Sequence, residues 1–161
     1  MLSCRFLHFK DTNDGLMMVF KPTVELTCNS PTRLRGILKR VKRIVRKQRL
    51  RSAIEAAELR VALPDVPAEC LQDVIGDIAA LLESIERLSL TPKEVEEALS
   101  ITSRERIGWT KADRLPRTEQ RSFMKGQEIF YQCYSPSGIA HLATKPEIIN
   151  EWRKSDSVGK L

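Results

Sequence analysis

The chain has 161 residues, enough for one domain or two small ones, and its mean hydropathy of -0.29 is ordinary for a soluble protein. It contains no run of 18 apolar residues, which argues against a transmembrane helix, so we expect a cytoplasmic protein with no membrane partner. The net charge of +6 favours an anionic partner such as nucleic acid.

Residues 1–30 are predicted to form an N-terminal segment that contains a β-hairpin. Two runs rich in large apolar residues, 4–10 and 16–21, flank Asp14-Gly15, a dipeptide typical of hairpin turns. The first run lacks the basic region and the small-residue cleavage site of a signal peptide. An alternative is that translation starts at Met17 or Met18, which would remove the first run.

Residues 31–89 are predicted to form an antiparallel helical hairpin. Apolar residues recur at spacings of 3 and 4 through 34–45 and again through 50–61, so we expect one helix from about 32 to 62, bent near 46–49. The same spacing runs through 71–85, which predicts a second helix after the prolines at 64 and 67. Such a hairpin would offer a surface for a homodimer or a protein partner.

The first of these two helices is strongly basic and the second is acidic. Residues 31–51 carry ten basic side chains and no acidic one, whereas residues 52–89 carry two basic and eight acidic ones. We expect part of the basic helix to pair with Asp73, Asp77, Glu83 and Glu86, and the remaining cations to contact phosphate groups or to lie in solvent. The main candidates for phosphate contact are Arg40, Arg43, Arg46 and Lys47; the full set of ten also contains Arg33, Arg35, Lys39, Lys42, Arg49 and Arg51.

Two capping boxes follow from residue 91 onward. Thr91 and Glu94 form a T-x-x-E pattern, and Thr102 and Glu105 repeat it eleven residues later. In a capping box the threonine hydroxyl accepts from an N–H of the first helical turn, and the glutamate accepts from the N–H of the threonine. The spacing therefore predicts two short helices, 92–99 and 103–112, joined by a tight turn.

The run from Leu90 to Pro116 resembles the helix-turn-helix of MerR-like and phage-excisionase proteins. The family pattern combines an L-T-x-x-E start, a small apolar turn residue before the second cap, an aromatic residue late in the second helix and a G-x-L-P exit. Here these features fall on Leu90, Thr91, Glu94, Ile101, Thr102, Trp109 and Arg114-Leu115-Pro116. Ser100 and Asp113 stand at the positions of the family's turn and exit glycines, and Arg106 stands where the family usually buries an aliphatic residue.

The resemblance implies a winged helix-turn-helix over residues 90–143. The wing would be a β-hairpin ending at Tyr134, a short helix would close the module at 134–142, and a further short helix over 146–154 would precede a frayed end at 155–161. The expected fold class is therefore mainly α, with a small β-hairpin wing. The core expected for the module consists of Val95, Ala98, Leu99, Ile101, Trp109 and Leu115.

The second helix of such a module presents side chains to the major groove, where arginine pairs with guanine O6 and N7. The resemblance thus implies DNA contacts through Ser103, Arg104, Arg106 and Lys111. It also implies contacts of the wing through Arg117, Arg121 and Lys125. The aromatic residues Trp109, Tyr131 and Tyr134 are expected to pack rather than to stack on bases.

No catalytic motif is present, and we expect no enzyme, cofactor, metal site or small-molecule ligand. None of the four cysteines (Cys4, Cys28, Cys70 and Cys133) lies within four residues of another, so reduced thiols are expected. The leading hypothesis is a DNA-binding protein, either a transcriptional regulator or a recombination accessory factor, and associated with the nucleoid in a prokaryote. The alternatives are an adaptor that docks proteins on the helical hairpin, and an RNA-binding protein that uses the basic helix.

Overall fold

The computed structural model describes residues 5–160, which divide into two compact units. The first unit contains the chain up to Thr27 together with Arg33–Arg87, and the second contains Cys28–Thr32 and the chain from Leu88 onward. The segment 28–32 belongs to the second unit because Ser30 and Thr32 donate hydrogen bonds to the Glu97 carboxylate at 2.6–2.9 Å. Residues 1–4 and 161 lie outside the described residues, and with them the reduced thiol expected for Cys4 and the last residue of the expected frayed end.

The first unit is built on a four-stranded antiparallel sheet with the order β1-β2-β4-β3. The strands are β1 (Leu7–Thr12), β2 (Gly15–Phe20), β3 (Ser52–Glu55) and β4 (Glu58–Leu63). The expected N-terminal hairpin is present as β1 and β2, in which Thr12 pairs with Gly15 across a two-residue turn.

Three helices accompany this sheet: α1 (Val24–Thr27), α2 (Pro31–Lys47) and α3 (Ala68–Glu86). One side of α2 is apolar, and its buried members Ile37, Leu38, Val41 and Val45 join the core of the unit. The core also contains side chains from β2, β4 and α3, among them Met18, Phe20, Leu59, Val61, Val74, Ile78, Leu82 and Ile85.

The predicted fold class is wrong, because the protein is a mixed α/β protein with 50 % helix, 24 % strand and two antiparallel sheets. The error lies in residues 48–62, which were expected to continue the first long helix. They form β3 and β4 instead, so residues 31–89 are not the expected hairpin of two long helices. A homodimer or a protein partner stays a prediction, but the helical hairpin on which it was expected to dock is not formed by the described residues.

The backbone explains why the helix stops. After α2, Arg49 has a φ of 58°, a left-handed conformation that cannot continue a right-handed helix. Ala56 and Ala57 then adopt φ values of 48° and 63° in the two-residue turn between β3 and β4. Such turns favour Asn-Gly, and two alanines give no sequence signal for one.

The second unit begins with two short helices, α4 (Pro92–Leu99) and α5 (Ser103–Lys111). Both predicted capping boxes are confirmed, since Thr91 and Thr102 each accept from the backbone of the glutamate three residues later and donate backbone N–H groups to its carboxylate. The connection between the helices passes through Ser100, which is left-handed with φ 52° and ψ 48°.

A two-stranded antiparallel ribbon follows, formed by β5 (Arg117–Lys125) and β6 (Gln127–Tyr134). It is followed by α6 (Pro136–Ala143) and α7 (Pro146–Val158). The base of the ribbon is tied to the helices, because Tyr134 and Leu90 exchange two backbone hydrogen bonds at 2.8 and 3.0 Å. Helix α7 extends beyond its predicted end, so residues 155–158 are helical rather than frayed.

The core predicted for this unit is confirmed: all six expected residues are buried in one cluster, which also contains Leu90, Tyr134, Ile139, Leu142 and Ile149. Helix α6 approaches the chain closely at Gly138, where a Cβ atom would lie 2.5 Å from the Pro116 ring. None of the helices in residues 5–160 combines the length and apolar character needed to cross a membrane.

Candidate nucleic-acid interface

Helix α5 is fixed from behind by aromatic and polar contacts with α7. The Trp109 ring lies 5.1 Å from the Trp152 ring in an edge-to-face arrangement, and the Trp109 indole N–H donates to Asp156 at 2.7 Å. Asp156 also accepts from Arg114 at 3.1 Å. Hydrogen bonding from Trp109 and the charge of Arg114 lower the pKa of the Asp156 carboxyl. The expected packing role of Trp109 is thus confirmed, whereas the contribution of Asp156 was missed because residue 156 was assigned to a frayed end.

The single acidic residue of α5 is neutralised by α7. Arg153 donates to the two Glu105 carboxylate oxygens at 2.7 and 3.2 Å, and to the Ser100 carbonyl at 3.0 Å. The hydrogen bonds from Arg153 and from the Thr102 backbone outweigh burial and lower the pKa of Glu105 from 4.5 to about 2. Glu105 therefore stays ionised while its charge is matched by Arg153, and it leaves no uncompensated negative charge at the start of α5.

Arg106 lies on the inner side of α5, contrary to its prediction as an exposed DNA contact. Its guanidinium donates to Glu96 of α4 at 2.8 Å and to the Tyr134 hydroxyl at 3.2 Å, and its side chain is 15 % exposed. Burial opposes the charged form, but the hydrogen bonds with Glu96 and Tyr134 prevail and raise the pKa of Arg106. Arg106 thus fills the interior position that the family resemblance assigns to an aliphatic residue, and it joins α4, α5 and β6.

The outer side of α5 carries basic, small and apolar side chains but no acidic one. Its exposed residues are Ser103, Arg104, Ile107, Gly108 and Lys111, which we call the outer face of α5. Four of them, at 104, 107, 108 and 111, follow the spacing of one helical stripe. Within residues 5–160 neither Arg104 nor Lys111 forms an ion pair.

Two residues of this outer face, Ile107 and Gly108, were not among the predicted DNA contacts. Ile107 is 46 % exposed although it is a large apolar residue. Gly108 lies within the helix, and a Cβ atom built there would meet nothing within 4 Å, so no packing contact of the described residues requires a glycine. Glycine is about 1 kcal/mol less favourable than alanine inside a helix, so Gly108 lowers the stability of α5, and no packing contact within the described residues explains it.

The β5–β6 ribbon leaves one of its three predicted cations without an acidic partner among the described residues. Arg117 pairs with Asp113 at 2.8 Å and Arg121 pairs with Glu119 at 2.7 Å, whereas Lys125 lies exposed beside the turn at Gly126. Hydrogen bonds from its own backbone, Thr118 and Ser89 lower the pKa of Glu119 to about 2.

The ribbon also exposes large apolar side chains near its turn. Phe123, Met124 and Phe130 are 48 %, 74 % and 64 % exposed. Neighbouring residues of a strand point to opposite faces, so Phe123 and Met124 lie on different faces of the ribbon. Tyr131 contacts the Phe123 ring at a centroid distance of 6.0 Å, and Tyr134 is fully buried, which confirms its expected packing role.

In the first unit, α2 presents a second concentration of positive charge. Every exposed residue between 33 and 47 is Lys or Arg. These seven residues, called the basic face below, are Arg35, Lys39, Arg40, Lys42, Arg43, Arg46 and Lys47. The four predicted phosphate contacts, Arg40, Arg43, Arg46 and Lys47, all belong to it.

Arg33, by contrast, is buried and does not belong to the basic face. Its guanidinium donates to the Leu26 carbonyl at 2.8 Å and to the Ile85 carbonyl at 2.7 Å. The Ile85 carbonyl lies in the last turn of α3, where the helix dipole attracts a cation, and the Leu26 carbonyl lies in the single turn of α1. Arg33 therefore has a structural role in the first unit.

The acidic residues of α3 were expected to pair with part of the basic helix, but they do not neutralise the basic face. Glu83 pairs with Arg87 and Glu86 pairs with Arg5, each at 2.8 Å. Asp73 and Asp77 form no ion pair with any residue in the described range. The side chains of the basic face likewise make no ion pair within that range, so its charge is uncompensated.

Two potentially reactive side chains of the second unit are Cys133, which is buried, and His141. Burial raises the pKa of the Cys133 thiol, which keeps it protonated and weakly nucleophilic, and His141 is exposed. No three His, Cys, Asp or Glu side chains among residues 5–160 are grouped so that they could hold a metal ion. Comparison with protein-family models, curated proteins and solved structures finds no match to this chain.

Proposed function

We propose that the protein binds duplex DNA in the cytoplasm and that the second unit is a winged helix-turn-helix in which α5 reads the major groove. The observation that carries this proposal is the outer face of α5, which offers Arg104 and Lys111 free of acidic partners in the described range. Arginine can pair with guanine O6 and N7, and Ile107 can contact a thymine methyl group. The glycine at 108 lets the helix backbone approach the bases closely.

The backbone at two positions supports the resemblance to MerR-like and excisionase proteins. Ser100 and Asp113 stand where the family has its turn and exit glycines, and they adopt φ values of 52° and 60°. Non-glycine residues rarely take this conformation, and for most of them it costs about 1 kcal/mol or more. Ser100 and Asp113 therefore take the left-handed conformation that glycines would take at these positions of the family pattern.

The β5–β6 ribbon takes the place of the wing in this proposal. Lys125 is available to a phosphate, while Met124 and Phe130 are exposed apolar side chains of the kind that proteins insert between base steps in the minor groove. Arg106 acts as a positioning residue, because its bonds to Glu96 and Tyr134 fix α5 against α4 and β6.

The proposal is tested by selecting bound duplexes from a random DNA pool and comparing the selected duplex with a scrambled one. We expect the variant R104Q/K111Q to lose at least tenfold of the preference for the selected duplex, since one bidentate base contact is worth about 1–3 kcal/mol. A control that neutralises two exposed lysines of the same unit, K145Q/K154Q, should keep the preference. A selection that enriches no common sequence, or an unchanged preference in R104Q/K111Q, would contradict the proposal.

A further inference from the structure

We propose that the basic face of α2 is a second nucleic-acid surface, which binds the phosphate backbone of duplex DNA without reading its sequence. It lies in the first unit, and its seven cations have no acidic partner among the described residues. Its contact with phosphate stands on these observations alone, whereas the choice of DNA over RNA rests on the proposed function of the second unit.

The seven cations form two rows along the helix. Successive residues of an α-helix are rotated by about 100°, so residues 35, 39, 42 and 46 lie along one side of the exposed arc and residues 40, 43 and 47 along the other. The first row extends over roughly 16 Å at a rise of about 1.5 Å per residue, and over the same length of duplex axis each DNA strand carries about five phosphates at roughly 3.4 Å of axis each. Because the two rows are about 100° apart around the helix axis, they can contact neighbouring phosphates at the same time.

The composition of the face favours a nucleic-acid duplex over a single strand or a membrane surface. Single-stranded nucleic acid is held by stacking on aromatic side chains, and α2 contains no aromatic residue. A helix that binds a membrane surface inserts its apolar side, but the apolar side of α2 is buried in the core of the unit. What α2 offers to a partner is charge alone, which suits a regular array of phosphates.

The helix also has room for a close approach near its start. Gly36 lies at the head of the second row, and a Cβ atom there would meet nothing within 4 Å. With no side chain at this position, the backbone of α2 can come nearer to a phosphate than a longer residue would allow.

The experiment measures the affinity of the full chain for a 30-base-pair duplex of mixed sequence between roughly 50 and 200 mM KCl. Each phosphate contact contributes about 0.9 to the slope of log K against log salt, so the variant R40Q/R43Q/R46Q/K47Q, which removes four contacts, should reduce this slope by about 3.6 and the affinity by at least tenfold. The control K10Q/K21Q/K145Q/K154Q removes the same net charge from exposed sites elsewhere and should change the slope by less than 1. The charge-retaining variant R40K/R43K/R46K should bind almost as the wild type does.

Several outcomes would overturn the proposal. Equal losses in the glutamine variant and in the control would show that net charge acts without a defined surface. Weak binding by the folded lysine variant would show that charge alone does not explain the contact. Tighter binding to a duplex RNA of the same sequence, to the single strand or to vesicles of anionic phospholipid would assign the face to another partner.

These results are separable from the test of the second unit. If α5 does not read bases, the basic face still predicts salt-dependent binding to any duplex. If the basic face is not a DNA surface, a sequence preference carried by Arg104 and Lys111 is retained and the salt dependence does not respond to the α2 variants.

Discussion

Replacing Gly108 by glutamate is expected to raise stability and at the same time to weaken binding to the selected duplex at least tenfold. Residue 108 is exposed within α5, and its Cβ position is open. A glutamate there lies four residues after Arg104 and three before Lys111, so it can pair with both within the helix. The same carboxylate would face the phosphates and bases that the outer face of α5 is proposed to contact.

The gain in stability can be worked out from the helix. Glutamate is a better helix former than glycine by about 0.6 kcal/mol, and each side-chain pair at these spacings adds about 0.2–0.5 kcal/mol. The sum is about 1 kcal/mol, which raises the Tm of a unit of this size by about 4–8 °C. A tenfold or larger loss of affinity means that the free energy of DNA binding becomes less favourable by at least 1.4 kcal/mol, while the free energy of unfolding rises.

Two measurements check this prediction: thermal unfolding followed by circular dichroism, and fluorescence anisotropy with the selected duplex. Gly108→Ala is the matched control, because it gains about 1 kcal/mol of stability without adding a charge. A loss of affinity in a variant that has become more stable cannot be attributed to unfolding. If Gly108→Glu binds DNA as the wild type does, α5 does not contact DNA through its outer face and the reasoning is refuted.

Three further predictions concern stability. Gly138→Ala should destabilise the protein by about 1–3 kcal/mol in denaturant unfolding, because the new methyl group would lie 2.5 Å from the Pro116 ring; a neutral result would mean that the ring moves aside. Replacing Ala56 by Asn and Ala57 by Gly should stabilise the protein by about 1–2 kcal/mol, because both alanines have positive φ; a lower Tm would argue against the β3–β4 turn. The pKa of the Glu105 carboxyl is lower in the folded protein than in the unfolded chain, so its contribution to stability is complete above about pH 4.5 and is lost as the pH falls toward 2. Glu105→Gln should therefore destabilise the protein at pH 7. A loss of stability that is the same at pH 2 as at pH 7 would exclude this charge effect.

The second unit could be predicted from the sequence because its signals are local. The capping boxes at Thr91 and Thr102 fix where α4 and α5 begin, and each needs only residues three apart. Which side chains of α5 point to the interior was harder to predict from the sequence. Arg106 was expected to be exposed, but Glu96 and Tyr134 lie 10 and 28 positions away in the chain, and only the tertiary structure shows that they satisfy its charge.

The first unit was mispredicted because two periodicities compete in residues 50–63. Apolar residues at 50, 54, 57 and 61 match a helical stripe, whereas those at 59, 61 and 63 alternate as in a strand that is buried on one face. The turn that decides between them uses Ala56 and Ala57, residues that favour helices and rarely take positive φ. Pairing with β2, about forty residues earlier, stabilises the strand, and this long-range contact leaves no local signal.

The most direct test of DNA recognition by α5 is an amide chemical-shift titration of the 18.4 kDa protein with the selected duplex. We predict that the largest shifts within the second unit occur at the outer face of α5, at residues 103, 104, 107, 108 and 111, and that Lys125 responds as well. If these amides remain unchanged at saturating DNA, the proposed role of α5 is contradicted, whatever the affinity of the rest of the chain.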